Sequence, residues 1–162
     1  MQLWLDLIDV LGKISLSYDD AIKLGTRKRD ALVSIDMDGL SKILDEENLL
    51  TSKIQKLERK RGEVLTNLAK SEPTVNQNTK MEELFQLAPS RAIEDRLKLL
   101  HKNLSKKVDE AVKIKDNNQV LAQGALTAVN FHLNRIGGAS VDPTYGKSGN
   151  SVSYQKKFDF NA

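Results

Sequence analysis

The sequence predicts an all-α fold: an elongated antiparallel bundle or coiled coil of three long helices plus one short helix, with an extended C-terminal tail. Along three long segments, apolar residues recur at alternating steps of three and four, the pattern of helices that pack along a narrow seam. Aromatic residues make up only 5% of the 162 residues, which suits a thin helical body. The last periodic segment would be about 70 Å long as a helix, too long to fold back into a compact globule.

The first two helices are predicted over about 2–34 and 37–70. In the second helix, seven of the nine seam positions are apolar. The nine positions are Leu40, Ile43, Glu47, Leu50, Ile54, Leu57, Arg61, Val64 and Leu68. Residues 34–39 interrupt the seam between the two helices, and Asp36 can accept hydrogen bonds from the first amides of the second helix. A tight reversal at this point would place the two helices antiparallel.

A short helix is predicted over about 80–88, after a polar loop. Thr79 and Glu82 have the spacing of a capping box, in which each side chain accepts a hydrogen bond from the backbone amide of the other residue. Pro89 lacks the amide hydrogen that a continuing helix would need, so the short helix should end there.

The last long helix is predicted over about 90–136, and Ser90 is positioned to cap it. We assign residues 1–136 to one helical bundle and residues 137–162 to a flexible tail, because four of the nine glycines fall in the last 26 residues. The tail also holds four of the eight aromatic residues, which a docking peptide uses and a plain spacer does not. These aromatics are Tyr145, Tyr154, Phe158 and Phe160.

Charge and composition exclude several classes of protein. The net charge of +3 arises in residues 90–136, where lysines alternate with acidic residues and no aromatic side chain lies among the lysines. This pattern is typical of a solvated helix face, so we expect no nucleic-acid partner. No apolar run approaches the roughly 18 residues of a membrane helix, so we expect no membrane insertion. The first residues lack the features of a signal peptide, which favours a cytoplasmic protein.

The sequence contains no combination of residues that is typical of a catalytic site. We therefore expect no enzyme activity, no cofactor and no metal. His101 and His132 are 31 residues apart on one helix, about 46 Å, too far to share a metal ion. Asp36, Asp38 and Glu47 have the spacing of three ligands of a calcium loop. However, a leucine and a serine occupy the positions where that loop needs an oxygen ligand and a glycine, and helix capping explains the acids better.

One segment has more apolar residues than a helix with a single packed face needs. Ten of the seventeen residues from 120 to 136 are apolar and Arg135 is the only charge, whereas residues 90–119 carry thirteen charges. The apolar residues lie on several faces of the helix, so several faces should be buried. Either another chain or the tail covers this segment, or the short helix around Leu84 and the start of the first helix cover it internally.

Three groups of residues are similar to those of one known family. The first pair of helices carries Leu32, Val33, Asp36, Leu40, Leu44, Glu46, Glu47, Leu50, Leu57 and Arg61. The last helix carries Asn118, Leu121, Gly124 and Leu126. The tail carries Tyr145, Gly146, Lys147, Ser148 and Gly149, followed by Ser151, Val152, Ser153, Lys156 and Lys157. In these residues, over nearly its whole length, the chain resembles the FlgN-type flagellar export chaperones.

The resemblance implies a type III export chaperone in the cytoplasm. Such a protein would bind the helical termini of hook-filament junction proteins, prevent their premature assembly and deliver them to the export gate. The resemblance implies cargo contacts at Asn118, Leu121 and Leu126, and a contact between Tyr145 and the cytoplasmic domain of the export-gate membrane protein.

Together with the apolar excess, the resemblance predicts a cargo-binding site in the last helix and a gate-binding site in the tail. The cargo-binding residues are Asn118, Val120, Leu121, Leu126, Val129, Phe131, Leu133 and Ile136. The export-gate contacts are Tyr145, Tyr154, Phe158 and Phe160. The alternative is a structural coiled-coil protein that binds no cargo and forms a homo-oligomer through the last helix or the tail.

Overall fold

The computed structural model describes residues 1–71, 74–75 and 79–137, which form four α-helices and no strand. The helices are α1 (Gln2–Ser34), α2 (Met37–Ser71), α3 (Met81–Gln86) and α4 (Arg91–Ile136). The predicted all-α fold of three long helices plus one short helix is therefore confirmed, and each predicted helix boundary lies within two residues of the observed one. The division into a bundle and a flexible tail stays a prediction, because residues 138–162 lie outside the described residues.

Helix α1 is the central helix, because it packs along both α2 and α4. Ion pairs between α1 and α2 show that these two helices are antiparallel: Arg27 Nη1 lies 2.7 Å from Glu46 Oε2, and Asp20 Oδ2 lies 3.5 Å from Lys53 Nζ. The hydrogen bonds that Arg27 donates hold the pKa of the Glu46 carboxyl below its ordinary value. The reversal predicted between the first two helices is thus present.

Helix α4 runs parallel to α1. Lys107 Nζ donates hydrogen bonds to Ser15 Oγ at 2.9 Å and to Asp19 Oδ2 at 2.6 Å, and Asn118 Nδ2 donates one to the Gly25 carbonyl at 2.7 Å. Residue numbers on the two helices therefore increase in the same direction. Both α2 and α4 pack on α1, and their backbones do not approach each other closely. This arrangement leaves much of the α2 seam only half-buried.

The main core lies at one end of the molecule. It joins the start of α1, the end of α2, helix α3 and the start of α4, so burial of apolar surface holds this end together most firmly. Its buried residues are Trp4, Leu7, Ile8, Leu11, Val64, Leu65, Leu68, Val75, Leu84, Ile93 and Leu97. A smaller cluster of Leu24, Ala31 and Ile43 lies toward the turn between α1 and α2.

The turn between α1 and α2 is built around one left-handed residue. Ile35 has φ 55° and ψ 38°, and the Asp36 amide donates a 2.9 Å hydrogen bond to the Ala31 carbonyl, which closes the end of α1. Asp36 Oδ1 then accepts a 2.9 Å hydrogen bond from the Gly39 amide. The predicted capping role of Asp36 is confirmed.

Of the caps predicted for α3 and α4, the one for α4 is confirmed and the one for α3 is wrong. Ser90 Oγ accepts a 3.4 Å hydrogen bond from the Ile93 amide, so the predicted cap of α4 is confirmed. The predicted capping box at Thr79 is wrong. Lys80 is the N-cap residue of α3, with an extended ψ of 150°, and its side chain makes no capping hydrogen bond. Helix α3 thus starts one residue later than the box requires, and Glu82 is its second residue.

Candidate partner-binding site

The last seventeen residues of α4, residues 120–136, extend beyond the packed part of the fold, and we call them the arm. Sixteen of them are exposed and only Ala125 is partly buried. The large apolar residues of the arm expose between 36 and 74% of their surface. They are Val120, Leu121, Leu126, Val129, Phe131, Leu133 and Ile136. These seven residues are all among the eight that the sequence predicts to bind cargo.

Most apolar residues of the arm share one side of the helix, which we call the main face. Successive residues of an α-helix are rotated by about 100° around its axis, which determines the residues that share a face. The main face consists of Leu121, Ala125, Leu126, Val129, Leu133 and Ile136. It lies on the same side of α4 as Ile114 and Asn118, which meet α1 at Gly25. The main face is therefore the continuation of the surface that α4 buries against α1.

A second apolar strip runs along the arm, and we call it the back strip. It consists of Val120, Gly124 and Phe131. Each of these residues lies eighteen positions, about five helical turns, after a lysine, so each pair occupies the same side of α4. The pairs are Lys102 and Val120, Lys106 and Gly124, and Lys113 and Phe131. One side of the helix thus changes from cationic in the packed part to apolar in the arm.

The remaining side of the arm is polar and uncharged. Its residues are Gln123, Thr127, Asn130 and Asn134. Amide and hydroxyl groups can face water, or can accept and donate hydrogen bonds to any partner, without selecting for the sign of its charge. This side of the arm therefore offers no charge to a partner.

Asn118 differs from the other predicted cargo-binding residues because it is buried. Its Nδ2 donates to the Gly25 carbonyl at 2.7 Å, and its Oδ1 has no hydrogen-bond partner among the described residues. A Cβ atom at position 25 would lie only 2.5 Å from Ile114 Cγ2, so glycine is what allows the two helices to approach this closely. In this structure Asn118 joins α4 to α1 and offers no free surface.

The sequence allowed two explanations for the apolar excess of the arm. One of them, that the short helix and the start of the first helix cover the arm, is wrong for the described residues. Leu84 of α3 belongs to the main core together with Leu97, which lies 39 residues before Ile136. That separation is about 60 Å along the helix. Helix α3 and the start of α1 therefore bury the opposite end of α4, and the arm is exposed.

No cluster of metal-ligating residues is present in the described part of the chain. The acidic residues near the α1–α2 turn serve other purposes, as the capping bond of Asp36 and the ion pair between Lys28 and Glu47 at 2.7 Å show. His101 packs edge-on against Phe85, with ring centroids 5.7 Å apart. The arm is therefore the feature that best fits a functional site, and its chemistry is that of binding.

Comparison with known families decides what kind of protein this is. Residues 1–153 match the model of the family described as FlgN protein. The chain belongs to the FlgN family. It is therefore a flagellar export chaperone in the general sense, and the resemblance found in the sequence is confirmed. Searches of curated proteins and of solved structures return no match. Among the described residues of this FlgN chain, no helix is both long and apolar enough to cross a membrane.

The four aromatic residues predicted to contact the export gate lie outside the described residues of this FlgN chain. They are Tyr145, Tyr154, Phe158 and Phe160. Their role stays a prediction. The other explanation for the apolar excess, cover by another chain or by the tail, is likewise a proposal.

The sequence interpretation of this FlgN chain missed a second exposed apolar group, at the turn between α1 and α2. Val33, Ile35 and Met37 expose 68, 66 and 67% of their surface, and we call these three residues the hairpin tip. One signal in the sequence points to them: Ile35 occupies the position after a helix where glycine is common. Because α1 and α4 are parallel, the hairpin tip and the arm lie at the same end of the molecule.

Proposed function

We propose that this FlgN-family protein is a cytoplasmic chaperone whose arm binds the C-terminal helices of hook-filament junction proteins. It prevents their premature assembly and delivers them to the export gate. The single observation that supports the proposal is the exposed arm, with seven large apolar residues that nothing covers in the described part of the chain. The proposed role consists of binding and release, with no catalytic step.

The physical basis of the proposal is that the arm and the cargo both present an apolar helix face. Junction proteins assemble by packing amphipathic terminal helices against neighbouring subunits. A helix with an exposed apolar side can occupy the same surface, because amphipathic helices bind apolar grooves and helices through residues spaced at three and four positions. The main face, with Leu126, Val129 and Leu133, has this spacing. While bound, the cargo helix is withheld from other subunits.

Delivery also requires release, and the size of the arm suits a reversible complex. Fully burying one large aliphatic side chain stabilises a complex by about 1.5–3 kcal/mol. Association also costs free energy, because the two partners lose translational, rotational and side-chain freedom. Since this cost is similar in size to the total gain, a short apolar helix gives moderate affinity. We expect the interface to bury roughly 1,200–2,000 Å² in total, with a few anchors such as Phe131 and Leu133.

The double variant Leu126→Asp with Leu133→Asp tests the cargo site. It places two carboxylates on the main face, and burying them against a cargo helix would be unfavourable, so calorimetry should show at least a tenfold loss of affinity for a junction-protein C-terminal peptide. The matched control is Gln123→Asp with Asn130→Asp. These residues have the same spacing of seven on the polar side of the arm, and their replacement should leave binding nearly unchanged.

Equal binding by both double variants, with helical content intact by circular dichroism, would contradict the cargo site. Loss of binding by both would indicate that added charge alone weakens the complex, which would also contradict a site on the main face.

We further propose that the tail aromatics contact the cytoplasmic domain of the export-gate membrane protein, as the family resemblance implies for Tyr145. The variant Tyr145→Ala should bind cargo peptide with unchanged affinity and lose affinity for the purified gate domain. Tyr154→Ala, Phe158→Ala and Phe160→Ala extend the test along the tail. Unchanged gate binding in all four variants would exclude this role.

A self-associating coiled-coil protein is the second candidate, and the back strip of the arm favours it. A helix that is apolar on two sides can bury one side against a second copy of the chain. Sedimentation velocity distinguishes the two functions. A stable dimer that ignores junction-protein peptides would support self-association, whereas a monomer that binds them would support the chaperone.

A further inference from the structure

The hairpin tip holds a β-branched residue at a position where the fold requires only a left-handed backbone. Ile35 is the only residue other than glycine with positive φ among the described residues. The left-handed conformation closes the end of α1, and glycine adopts it without a steric penalty. A β-branched residue in this conformation is a true outlier. The isoleucine side chain also gains little from packing, since two thirds of the residue is exposed.

Strain that serves no packing purpose is a reason to look for function. The two neighbours of Ile35 in the hairpin tip share its exposure. Val33 is the last residue but one of α1, and Met37 is the first residue of α2. Each has about two thirds of its surface in contact with solvent. Three large apolar residues in five positions of a surface turn form a patch of the kind that proteins bury against partners.

The register between α1 and α4 locates the hairpin tip relative to the arm. Gly25 and Asn118 are hydrogen-bonded and so lie at the same height along the two parallel helices. Ile35 lies ten residues after Gly25, which corresponds to about 15 Å and to position 128 of α4. The hairpin tip is thus level with the middle of the arm, and α1 has no residues left to cover the main face from Val129 to Ile136.

The main face and the part of α4 that α1 covers lie on one continuous side of α4. Ile114 and Asn118 belong to the part that α1 covers, and Val129, Leu133 and Ile136 belong to the part that is bare. A helix that covers the bare part therefore takes the place that α1 leaves free. One end of such a helix would lie level with the hairpin tip.

We propose that the hairpin tip is the second wall of the cargo site. In this arrangement an amphipathic helix of the cargo lies in the angle between the arm and the hairpin tip, with one side on Leu126, Val129 and Leu133 and with Ile35 in contact with its end. The inference rests on the proposed function, because it takes the cargo helix as the occupant of the main face. It adds residues that lie more than 80 positions before the arm in the sequence.

The variant Ile35→Gly tests the inference because the two roles of Ile35 predict opposite effects. Relief of backbone strain should raise the midpoint of thermal unfolding or leave it unchanged. Loss of the side chain should weaken binding of a junction-protein C-terminal peptide by about tenfold, as for an interface anchor. A protein that is at least as stable and binds less tightly supports a second wall at the hairpin tip.

A second variant tests the hairpin tip without changing the backbone conformation at Ile35. Val33→Ser with Met37→Ser keeps the turn and removes two apolar side chains of the hairpin tip, and it should also weaken binding. The matched control is Leu49→Ser, which replaces a residue of α2 that is 73% exposed and far from the turn, and it should bind as the wild type does. Calorimetry with the full chain and the same peptide measures all three variants.

The outcomes separate this inference from the proposed function. If the hairpin-tip variants bind as tightly as the wild type while Leu126→Asp with Leu133→Asp does not bind, the second wall is wrong and the arm site stands. If none of these variants changes binding, both fail. If the wild type is a dimer that Ile35→Gly dissociates, the occupant is a second copy of the chain, and the inference of a cargo helix is overturned.

Discussion

The side-chain amide of Asn118 in α4 donates a 2.7 Å hydrogen bond to the backbone carbonyl of Gly25 in α1. Asn118 is the last buried residue of α4 in the described part of the chain. A polar residue in a packed helical seam fixes register, at some cost in stability, because other registers leave it without a partner. This pair therefore fixes the register of α4 on α1, and it marks the last buried position before the arm.

Gly25→Ala should destabilise the protein by about 1–3 kcal/mol, because the added Cβ would lie 2.5 Å from Ile114 Cγ2 and would push α1 and α4 apart. Gly12→Ala is the control. A Cβ at position 12 meets nothing within 4 Å, so alanine should stabilise α1 by roughly 0.5–1 kcal/mol. Urea unfolding of the two variants should therefore give opposite signs, and the same sign for both would contradict the close helix contact.

Asn118→Leu and Asn118→Asp should have different effects on stability. Leucine removes the unpaired Oδ1 acceptor, so stability should be unchanged or higher. Aspartate places a buried carboxylate against the Gly25 carbonyl, which should cost about 3 kcal/mol or more at neutral pH. Thermal unfolding measures both variants. A leucine variant as unstable as the aspartate variant would contradict the buried position of the side chain.

Arg27→Gln should raise the pKa of Glu46 toward its ordinary value, because the hydrogen bonds from Arg27 are the main cause of its lowered pKa. Since the pKa is lower in the folded protein, the pair stabilises the fold above the pKa of an unfolded glutamate, and that stabilisation is lost as the pH falls through the folded value. Carboxyl carbon NMR measures the titration. Glu94, whose pKa is lowered mainly by Lys98, is the internal control and should not change.

Leu97→Ala and Leu133→Ala make the same substitution at two places on α4, one packed and one in the arm. Leu97 is fully buried, so its truncation should cost about 2–5 kcal/mol. Leu133 is 61% exposed, so its truncation should change the free energy of unfolding by less than about 0.5 kcal/mol. Equal destabilisation in chemical unfolding would show that the arm is packed in solution.

Local patterns in the sequence predicted most of the fold. The seams of the long helices, the reversal at Asp36 and the cap at Ser90 depend on residues a few positions apart, and all of these are present. The failed capping box at Thr79 shows the limit of such patterns, because a one-residue shift in the helix start cancels it.

The candidate site was only partly predictable for a different reason. Exposure of the arm beyond about position 128 depends on how far α1 reaches along α4. The contact between Gly25 and Asn118, which are 93 residues apart, sets that register. Sequence periodicity places Asn118 on the seam without showing that its amide faces a glycine. The strained conformation of Ile35 was likewise missed, since isoleucine is among the residues least expected there.

The central position of α1 has a consequence for the order of folding. Its contacts with α2 include pairs only 19 residues apart, such as Arg27 and Glu46, whereas its contact with α4 at Gly25 spans 93 residues. Closing the shorter loop costs less chain entropy, so the α1–α2 pair should form first and then serve as the template on which α4 docks. During synthesis on the ribosome, that template would be complete before Asn118 has been added to the chain.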